Sequence, residues 1–459
     1  MSAILAIAFK VLQEAKKTKP ALLLFFFVIF LLFLFPFTLK SDGTLNGQIQ
    51  LFIGYSLLIL SLALYSNSIF FSVLSFTSEI KGKQFYLIDC KSISRWQFFV
   101  GKFLGMAILN FFALVFMGLI LLFLILYIKE TQGTAEERAD VQEKIFTSYQ
   151  GIEPHTSMEK LFSMVDKEYQ KRKAENRLPS NMSEEEIKSQ IKSQIQQQLQ
   201  VIPYGYQRIW HFHNLPSGLK SSQQKIKLRY KIFLSDAGSS FLCKVYWQAG
   251  KGTNLYAVED KVKAGEYYEF TFPSDTVEEN NTLEVHFFHK DEKAGMIYFP
   301  IEKGIELFYP YGSFYGNYIK TLLLVYLLSC FLVALSLFAS TFLTFPIAVF
   351  LGLFILFLGL IAPFLMEISS LGQGIENSEK EILWERIPDI LSYAILQASF
   401  FIIPDFFYYA PLESLALGRY MTWSIVGESI LKLILLRATL FSILGCFLFK
   451  HREVGKPLL

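Results

Sequence analysis

The sequence is poor in cysteine and carries little net charge. Its four cysteines, Cys90, Cys243, Cys330 and Cys446, lie far apart and do not have the spacing of a metal site. Only Cys243 falls in the region that is predicted below to be soluble, which excludes a disulfide within that region. Charged residues make up 18% of the chain, and the formal net charge of +3 is too small to indicate a nucleic-acid partner.

The chain also lacks the motifs of an ATPase or a hydrolase. The string AGKGT at 249–253 lies among predicted strands and lacks the glycine five residues earlier that a nucleotide-binding loop requires, so we interpret it as a turn. The apolar segments hold no paired acidic, serine–histidine or metal-ligand residues. An intramembrane enzyme is therefore the least favoured of the functional hypotheses. We therefore expect neither enzymatic activity nor a bound cofactor in this chain. Any ATP-driven work would need a separate subunit.

Apolar residues, by contrast, are abundant and grouped. The chain is 53% hydrophobic and contains 47 phenylalanines, arranged in blocks of about 20 residues, the length at which a helix crosses a hydrocarbon core of about 30 Å. Because a span must satisfy its own backbone hydrogen bonds, the pattern predicts an α-helical membrane protein with six transmembrane helices. The predicted spans are 20–39, 49–76 and 98–127 within the block 20–128, and 318–343, 346–366 and 426–449 within the block 318–449.

Residues 1–19 are predicted to form an amphipathic helix that lies at the membrane surface. Apolar residues recur there at helical spacing (Ile4, Leu5, Ala8, Val11 and Leu12), and Lys16, Lys17 and Lys19 follow them. This pattern suits the anionic surface of a cytoplasmic leaflet, so membrane lipid is an expected partner.

The basic residues also predict the orientation of the chain. They cluster at 16–19, 81–102 and 450–456, and short basic segments stay in the cytoplasm. Both termini, including the tail 450–459, are therefore expected inside a bacterial inner membrane. The acidic loop 367–386 and the domain inserted between the third and fourth spans then lie outside.

Residues 387–425 predict a re-entrant or interfacial segment on the outer face. The apolar run Ile390–Ile403 is short for a crossing, and Pro404 and Asp405 end it. A full crossing would also place the basic C-terminus outside, against the charge rule. Trp423 and the neighbouring tyrosines suit a membrane interface.

The inserted domain is predicted to be extracytoplasmic and α+β. Residues 129–202 are charged and glutamine-rich and are predicted to be a helical segment, which ends in a helix with one apolar stripe formed by Ile187, Ile191, Ile195 and Leu199. In 203–317 the apolar period changes to two, as in KIKLRYKIFL (225–234) and LEVHFF (283–288). Several short strands at regular spacing predict an antiparallel β-sandwich.

Four histidines of this domain are candidate metal ligands. His211 and His213 alternate on one predicted strand, and His286 and His289 lie on another strand and at its end. Four imidazoles on one sheet would suit copper or zinc. No carboxylate or cysteine motif accompanies them, so we favour ordinary surface histidines and expect no metal.

Four polar residues fall within the predicted spans. They are Asn67, Asn110, Lys432 and Arg437. An ionisable group at membrane depth is expensive and should face a partner, a cavity or the interface. A helix–helix hydrogen bond is the simpler interpretation of these residues, and a position lining a substrate path is the other.

The segment EIKGKQFYLIDCKSISRWQFFVGKFLG at 79–105 joins two spans on the cytoplasmic side. Composition alone favours an ordinary charged loop, whereas a stiff handle attached to two transmembrane helices is the functional interpretation. This segment resembles a pattern of type-2 ABC transporter permeases, particularly the NosY-like group, at Glu79, Gly82, Ile93-Ser94-Arg95 and Gly101-Lys102. It departs from that pattern at Ser92, which replaces a proline. Near the C-terminus, FIIPDFFYY (401–409) and Phe449–Glu453 resemble two further segments of these permeases.

The resemblance implies a permease subunit that pairs with a second permease subunit, in a homodimer or a heterodimer. Each would bind a separate ATPase, which holds ATP and Mg, through 78–97 as a coupling helix that includes Lys81 and Lys83. Closure of the ATPases would then drive export of a substrate or mechanical work on an extracytoplasmic protein. The alternative hypothesis is a membrane-anchored extracytoplasmic sensor or assembly scaffold without transport activity, which needs no ATPase.

Overall fold

The computed structural model consists of two compact units. One combines residues 1–148 with 312–459, and the other comprises 149–311. The structure describes residues 3–17, 19–38, 43–82, 93–154, 158–175, 177, 184–220, 224–235, 241–251, 255–300, 304–375, 403–409 and 412–451.

The first unit is helical. Its helices are α1 (Ala3–Lys17), α2 (Lys19–Thr38), α3 (Leu45–Lys81), α4 (Arg95–Thr131), α5 (Ala135–Lys144), α8 (Phe314–Ser340), α9 (Phe345–Ile375), α10 (Phe406–Tyr409), α11 (Leu412–Ala416) and α12 (Trp423–His451), whose stretch Ile430–Ala438 is π-helical. Among the described residues, five helices are long and apolar enough to cross a membrane: α3, α4, α8, α9 over Phe345–Phe364, and α12. The chain is therefore a multi-pass membrane protein. Helix α2 lies at the first predicted span, with a shorter apolar section at Phe26–Pro36.

Helix α8 lies at the centre of this unit. Its side chains are mostly apolar on every side, and consecutive residues from Leu327 to Leu337 are buried. A helix that is apolar all round must be surrounded by other helices or by lipid, and here α3, α4, α9 and α12 pack around it. Two of these helices start at side-chain caps, since Thr44 accepts a hydrogen bond from Gly47 N at 3.1 Å and Ser313 caps α8.

The short helices α10 and α11 pack into the core of the same unit. Phe406 and Leu415 are buried, and the ring of Phe406 stacks on that of Tyr65 in α3 at 5.8 Å. Gly418 has a φ of +66°, and a Cβ there would lie 2.4 Å from the carbonyl oxygen of Lys144, so only glycine fits. Much of the predicted re-entrant segment 387–425 lies outside the described residues, and its position relative to a membrane stays a prediction.

The second unit contains helices α6 (Met158–Ala174) and α7 (Glu184–Gln200) and most of eleven strands. The strands are β1 (Thr147–Ile152), β2 (Val201–Ile202), β3 (Gln207–Phe212), β4 (Lys225–Lys231), β5 (Phe233–Leu234), β6 (Leu242–Ala249), β7 (Tyr256–Lys263), β8 (Tyr267–Pro273), β9 (Leu283–Phe288), β10 (Ile297–Tyr298) and β11 (Ile305–Ser313). The apolar stripe of α7 packs against α6, where Ile187 and Ile191 bury Val165 and Tyr169. Strand β1 lies in a region for which only helix was predicted, because its pairing partner β11 is more than 150 residues away in the chain.

The strands form separate antiparallel sheets. Two sheets have four strands, in the orders β1-β11-β4-β8 and β3-β9-β6-β7, and a third has the order β2-β10-β5. Aromatic side chains of both four-stranded sheets meet in one hydrophobic core. Trp247 of β6 lies 4.7 Å from Tyr230 of β4 and 5.7 Å from Phe270 of β8, measured between ring centroids.

Candidate functional site

A buried group of charges lies where α1, α3 and α4 meet, beside the segment predicted to dock an ATPase. Lys102 of α4 is completely buried, and its Nζ donates hydrogen bonds to Glu79 Oε1 at 2.8 Å and to Ser75 Oγ at 2.7 Å. Glu79 of α3 is also buried, and its Oε2 makes no hydrogen bond to any described residue. The ion pair therefore ties together the two helices on either side of residues 83–92.

Helix α1 contributes two more charges to this group. Glu14 Oε2 lies 3.3 Å from Lys102 Nζ and accepts a hydrogen bond from Ser75 Oγ at 2.7 Å, while Lys10 Nζ donates to Glu79 Oε1 at 2.7 Å. Burial raises the pKa of Glu14, but its charged and polar neighbours, Lys102 first and the Ser75 hydroxyl next, together lower it by more, so this pKa lies below its ordinary value. Two lysines and two glutamates thus form a neutral charge group, which we call the charge cluster.

Two glycines allow α1 to approach α4 closely enough to form the charge cluster. A Cβ at Gly101 would lie 2.8 Å from Ile7 Cβ, and one at Gly105 would lie 2.7 Å from Val11 Cβ and 2.9 Å from the carbonyl oxygen of Ala8. Glycines four residues apart lie on one helix face and let two backbones approach. The apolar face of α1 is consequently buried against α4, with Val11 fully inaccessible.

Hydrogen bonds also fix the described ends of the predicted coupling segment in place. Arg95 Nη1 donates to the carbonyl oxygens of Phe449 at 2.7 Å and Lys450 at 3.0 Å, close to the C-terminal end of α12. This contact joins two of the three stretches that carry the resemblance to type-2 permeases. Ser94 precedes the first residue of α4, and its backbone N–H donates to Gln97 Oε1 at 3.1 Å.

The remaining predicted docking residues have different surroundings. Gly82 follows the last residue of α3, and its backbone N–H donates a hydrogen bond to the carbonyl oxygen of Ser78 at 2.8 Å. Lys81 is exposed. Ile93 packs against the apolar cluster that contains Phe76 and Phe98. Lys83 lies outside the described residues.

This arrangement can transmit force between helices. A buried ion pair is strongly destabilised when one partner is removed or displaced, by about 3–5 kcal/mol, because the other charge is left without compensation. The ends of α1, α3 and α4 that carry the charge cluster therefore resist separation. A push on the segment between α3 and α4 would move these ends as one body.

The predicted intramembrane polar residues do not form one group. Asn110 Nδ2 lies 2.8 Å from Ser68 Oγ and 3.4 Å from Ser329 Oγ, so it bridges α3, α4 and α8. Asn67 is half-buried on another face of α3. Lys432 pairs with Glu428 at 2.5 Å, and Arg437 lies in the π-helical stretch of α12 with its guanidinium 5.7 Å from the ring centroid of Tyr409.

The four histidines do not come together around one point. His211 Nδ1 lies 3.2 Å from Glu284, and His286 Nε2 lies 3.7 Å from the other oxygen of this carboxylate. Burial raises the pKa of Glu284, but Lys251, with smaller effects of His211 and His286, lowers it by more, so this pKa lies below its ordinary value. His213 lies beside His211, and His289 is buried elsewhere with Nε2 2.7 Å from the carbonyl oxygen of Gly295. Within the described part of the chain, no group of three or more potential ligands could hold a metal ion.

Sequence reasoning missed several residues at these sites. Lys10 and Glu14 of the charge cluster, and Ser75 beside it, were not predicted, and the only sequence signal was that Lys10 and Glu14 are opposite charges four residues apart on one helix. Lys320 was also missed. It is buried in α8, donates to Met421 O at 2.7 Å, and lies 4.1 Å from the ring centroid of Tyr420.

Comparison of the chain with protein families, with curated proteins and with solved structures found no match.

Proposed function

We propose that the chain is the membrane-spanning permease subunit of an ABC transporter that works as an exporter or transmits force. The observation that carries the proposal is the buried pair Glu79–Lys102, which joins the two helices flanking 78–97 at the point where an ATPase would dock. A displacement of the docking segment is transmitted to the membrane helices only if the two helices that flank this segment move together. The contacts of Arg95 with the end of α12 extend the same connection to the last span.

In this proposal the coupling segment binds a separate ATPase, and the ATPase holds ATP and Mg. Two permease subunits face one another, and ATP binding draws their ATPases together. The resulting push enters α3 and α4 and carries α1 with them through the charge cluster. Binding energy in the cytoplasm thus shifts the population of membrane conformations.

The same proposal includes finer features of the architecture. Helix α2 would be a sixth span, so that both termini lie in the cytoplasm of a bacterium and the unit 149–311 lies outside the inner membrane. The two four-stranded sheets that share one aromatic core would form a β-sandwich. This unit would bind the exported hydrophobic substrate or an extracytoplasmic protein on which the force acts.

Co-purification from the native membrane tests the proposal. We expect tagged protein in mild detergent to bring down an ABC ATPase, identified by mass spectrometry, together with ATP hydrolysis. The double variant Lys81→Glu/Trp96→Ala changes two exposed side chains of the coupling segment and should lose the ATPase while staying folded. Lys263→Glu/Tyr206→Ala is the matched control, because it makes the same kinds of change on exposed residues of the β unit and should retain the ATPase.

Two results would count against the proposal. Folded wild-type protein that brings down no ATPase would favour a sensor or scaffold instead. An ATPase that stays bound to the Lys81→Glu/Trp96→Ala variant would show that 78–97 is not the docking segment.

A further inference from the structure

Helix α3 carries a buried polar stripe along its apolar length. Its members are Ser61, Tyr65, Ser68, Ser72, Ser75 and Glu79, spaced by four, three, four, three and four residues, and each is less than 5% exposed. That spacing places all six on one face of the helix. The stripe extends over 18 residues, about 27 Å at the rise of an α-helix, from the charge cluster into the helical unit.

Polar groups on α4 and α8 continue this stripe on the opposite side of the interface. Lys102 contacts Ser75, and eight residues further along α4 Asn110 contacts Ser68. Asn110 also reaches Ser329 of α8, and Ser336 lies two turns further along α8, towards the charge cluster. The stripe is therefore lined by polar groups from three helices.

Two hydroxyl groups of the stripe and one of α8 lack hydrogen bonds. Tyr65 Oη, Ser72 Oγ and Ser336 Oγ are buried and pair with no described residue. Buried hydroxyls in proteins nearly always have a partner, and an apolar membrane interior supplies none from lipid. Ser68 differs, because its hydroxyl donates to Leu64 O at 2.5 Å and accepts from Asn110.

We propose that bound water molecules occupy the stripe of α3 and hydrogen-bond to Tyr65, Ser72 and Ser336. Water is the ligand that fits, because each site offers a hydroxyl that can both donate and accept, beside carbonyl and hydroxyl oxygens of serines one turn away. No charged ligand is indicated, since the two lysines and two glutamates of the charge cluster already balance. The hydration is a property of these three helices and does not depend on the permease proposal.

Hydration gives the charge cluster a polar extension into the membrane unit. The carboxylate of Glu79 lies at one end of the stripe. Its Oε2 has no hydrogen-bond partner among the described residues and would accept hydrogen bonds from the same bound water. Water-bridged contacts between α3, α4 and α8 can also exchange partners, whereas interdigitated apolar side chains cannot. The stripe is thus a place where these helices can shift against one another.

Radiolytic footprinting with X-rays tests the proposal in the intact, detergent-solubilised chain. Hydroxyl radicals form from bound water in place and oxidise the nearest reactive side chain, so a buried tyrosine is labelled only if water lies beside it. Tyr65 is the reporter, and Tyr318 is the control. Both are at most 3% exposed, but the Tyr318 hydroxyl is satisfied by Gly118 O at 2.6 Å.

We expect oxidation of Tyr65 at least five-fold faster than that of Tyr318. Equal and slow oxidation of both tyrosines would overturn the proposal, because it would mean that the Tyr65 hydroxyl is dry.

The thermal midpoint of unfolding gives a second, independent readout. In a dry interface Ser72→Ala removes an unsatisfied hydroxyl and should raise the midpoint, whereas in a hydrated interface it removes a partner of bound water and should lower it. Ser340→Ala is the control, because that hydroxyl donates to Ser336 O at 2.6 Å within α8. A midpoint raised above wild type by Ser72→Ala would overturn the proposal, and one lowered below wild type, as in Ser340→Ala, is expected.

Discussion

Removal of the Lys102 charge should destabilise the helical unit strongly. Lys102→Met keeps the length of the side chain but leaves Glu79 buried, with Lys10 as its one remaining cationic contact among the described residues. Lys10 is 41% exposed and well solvated, so it compensates the carboxylate only partly. Because an uncompensated buried charge costs about 3–5 kcal/mol, we expect the free energy of unfolding to fall by about 3 kcal/mol.

The companion variant separates a charge effect from a packing effect. Lys102→Met/Glu79→Met replaces both members of the pair with apolar side chains, which is often close to neutral for a buried ion pair. The double variant should therefore recover most of the stability that the single variant loses. In a double-mutant cycle this recovery appears as a coupling energy of about 2–3 kcal/mol.

Thermal unfolding of purified protein in detergent measures this effect. A loss of about 3 kcal/mol corresponds to a fall in the midpoint of about 6–12 °C for a unit of 150–250 residues, and to somewhat less for a larger one. Lys432→Met is the control, because its pair with Glu428 is partly exposed and contributes less than about 1 kcal/mol. A Lys102→Met midpoint within 1 °C of wild type, or a double variant as unstable as the single one, would refute the reasoning.

Three further predictions concern other parts of the chain. Gly105→Leu should release α1 from α4, because even a Cβ at this position would clash with Val11, and trypsin should then cleave at the lysines of α1. Glu14 has a lowered pKa, so the stability that it contributes is present above its ordinary value of 4.5 and is lost as pH falls below that value; Glu14→Gln should flatten this part of the pH profile of the thermal midpoint. Burial, with a smaller effect of Asp291, raises the pKa of Cys243 to about 12, so iodoacetamide at pH 8 should modify this thiol only after unfolding.

Each of these predictions has a control and a contradicting result. Gly54→Ala, where nothing lies within 4 Å of an added Cβ, should leave α1 resistant to trypsin, and equal cleavage in both glycine variants would argue against the docking of α1 on Gly105. An unchanged pH profile in Glu14→Gln would show that this carboxyl group does not link stability to pH. Lys244→Cys places an exposed thiol beside Cys243 as a positive control, and native labelling of Cys243 at a similar rate would contradict its burial.

The sequence by itself determined the positions of the long helices. The second predicted span, 49–76, lies within α3, and the third, 98–127, lies within α4. This success has a physical reason. A block of about 20 apolar residues is incompatible with water and must satisfy its backbone internally, so its structure depends on its own composition and on the bilayer. The antiparallel strands at 225–231 and 283–288 were predicted on similar grounds, from a local period of two.

Only the tertiary structure decided which polar side chains meet. Lys102 and Glu79 are 23 residues apart, and Asn110 and Ser329 are 219 apart. A hydrophobicity pattern does not show which residues so far apart in the sequence come into contact. The partner of a buried polar side chain is set by how the helices pack, and not by the residues next to it in the sequence. For the same reason the sequence predicted an amphipathic helix at 1–19 without predicting that Gly101 and Gly105 would receive it.

Strand β1 and the short helices α10 and α11 illustrate the same limit. Six residues with a weak pattern became a strand because β11 offers unpaired backbone groups beside them. Phe406 and Leu415 are buried because α3 and α8 leave a space that they fill. Local sequence therefore determined the lengths and types of the major elements, and long-range packing determined the charge cluster, the polar stripe and the contacts through which force would pass.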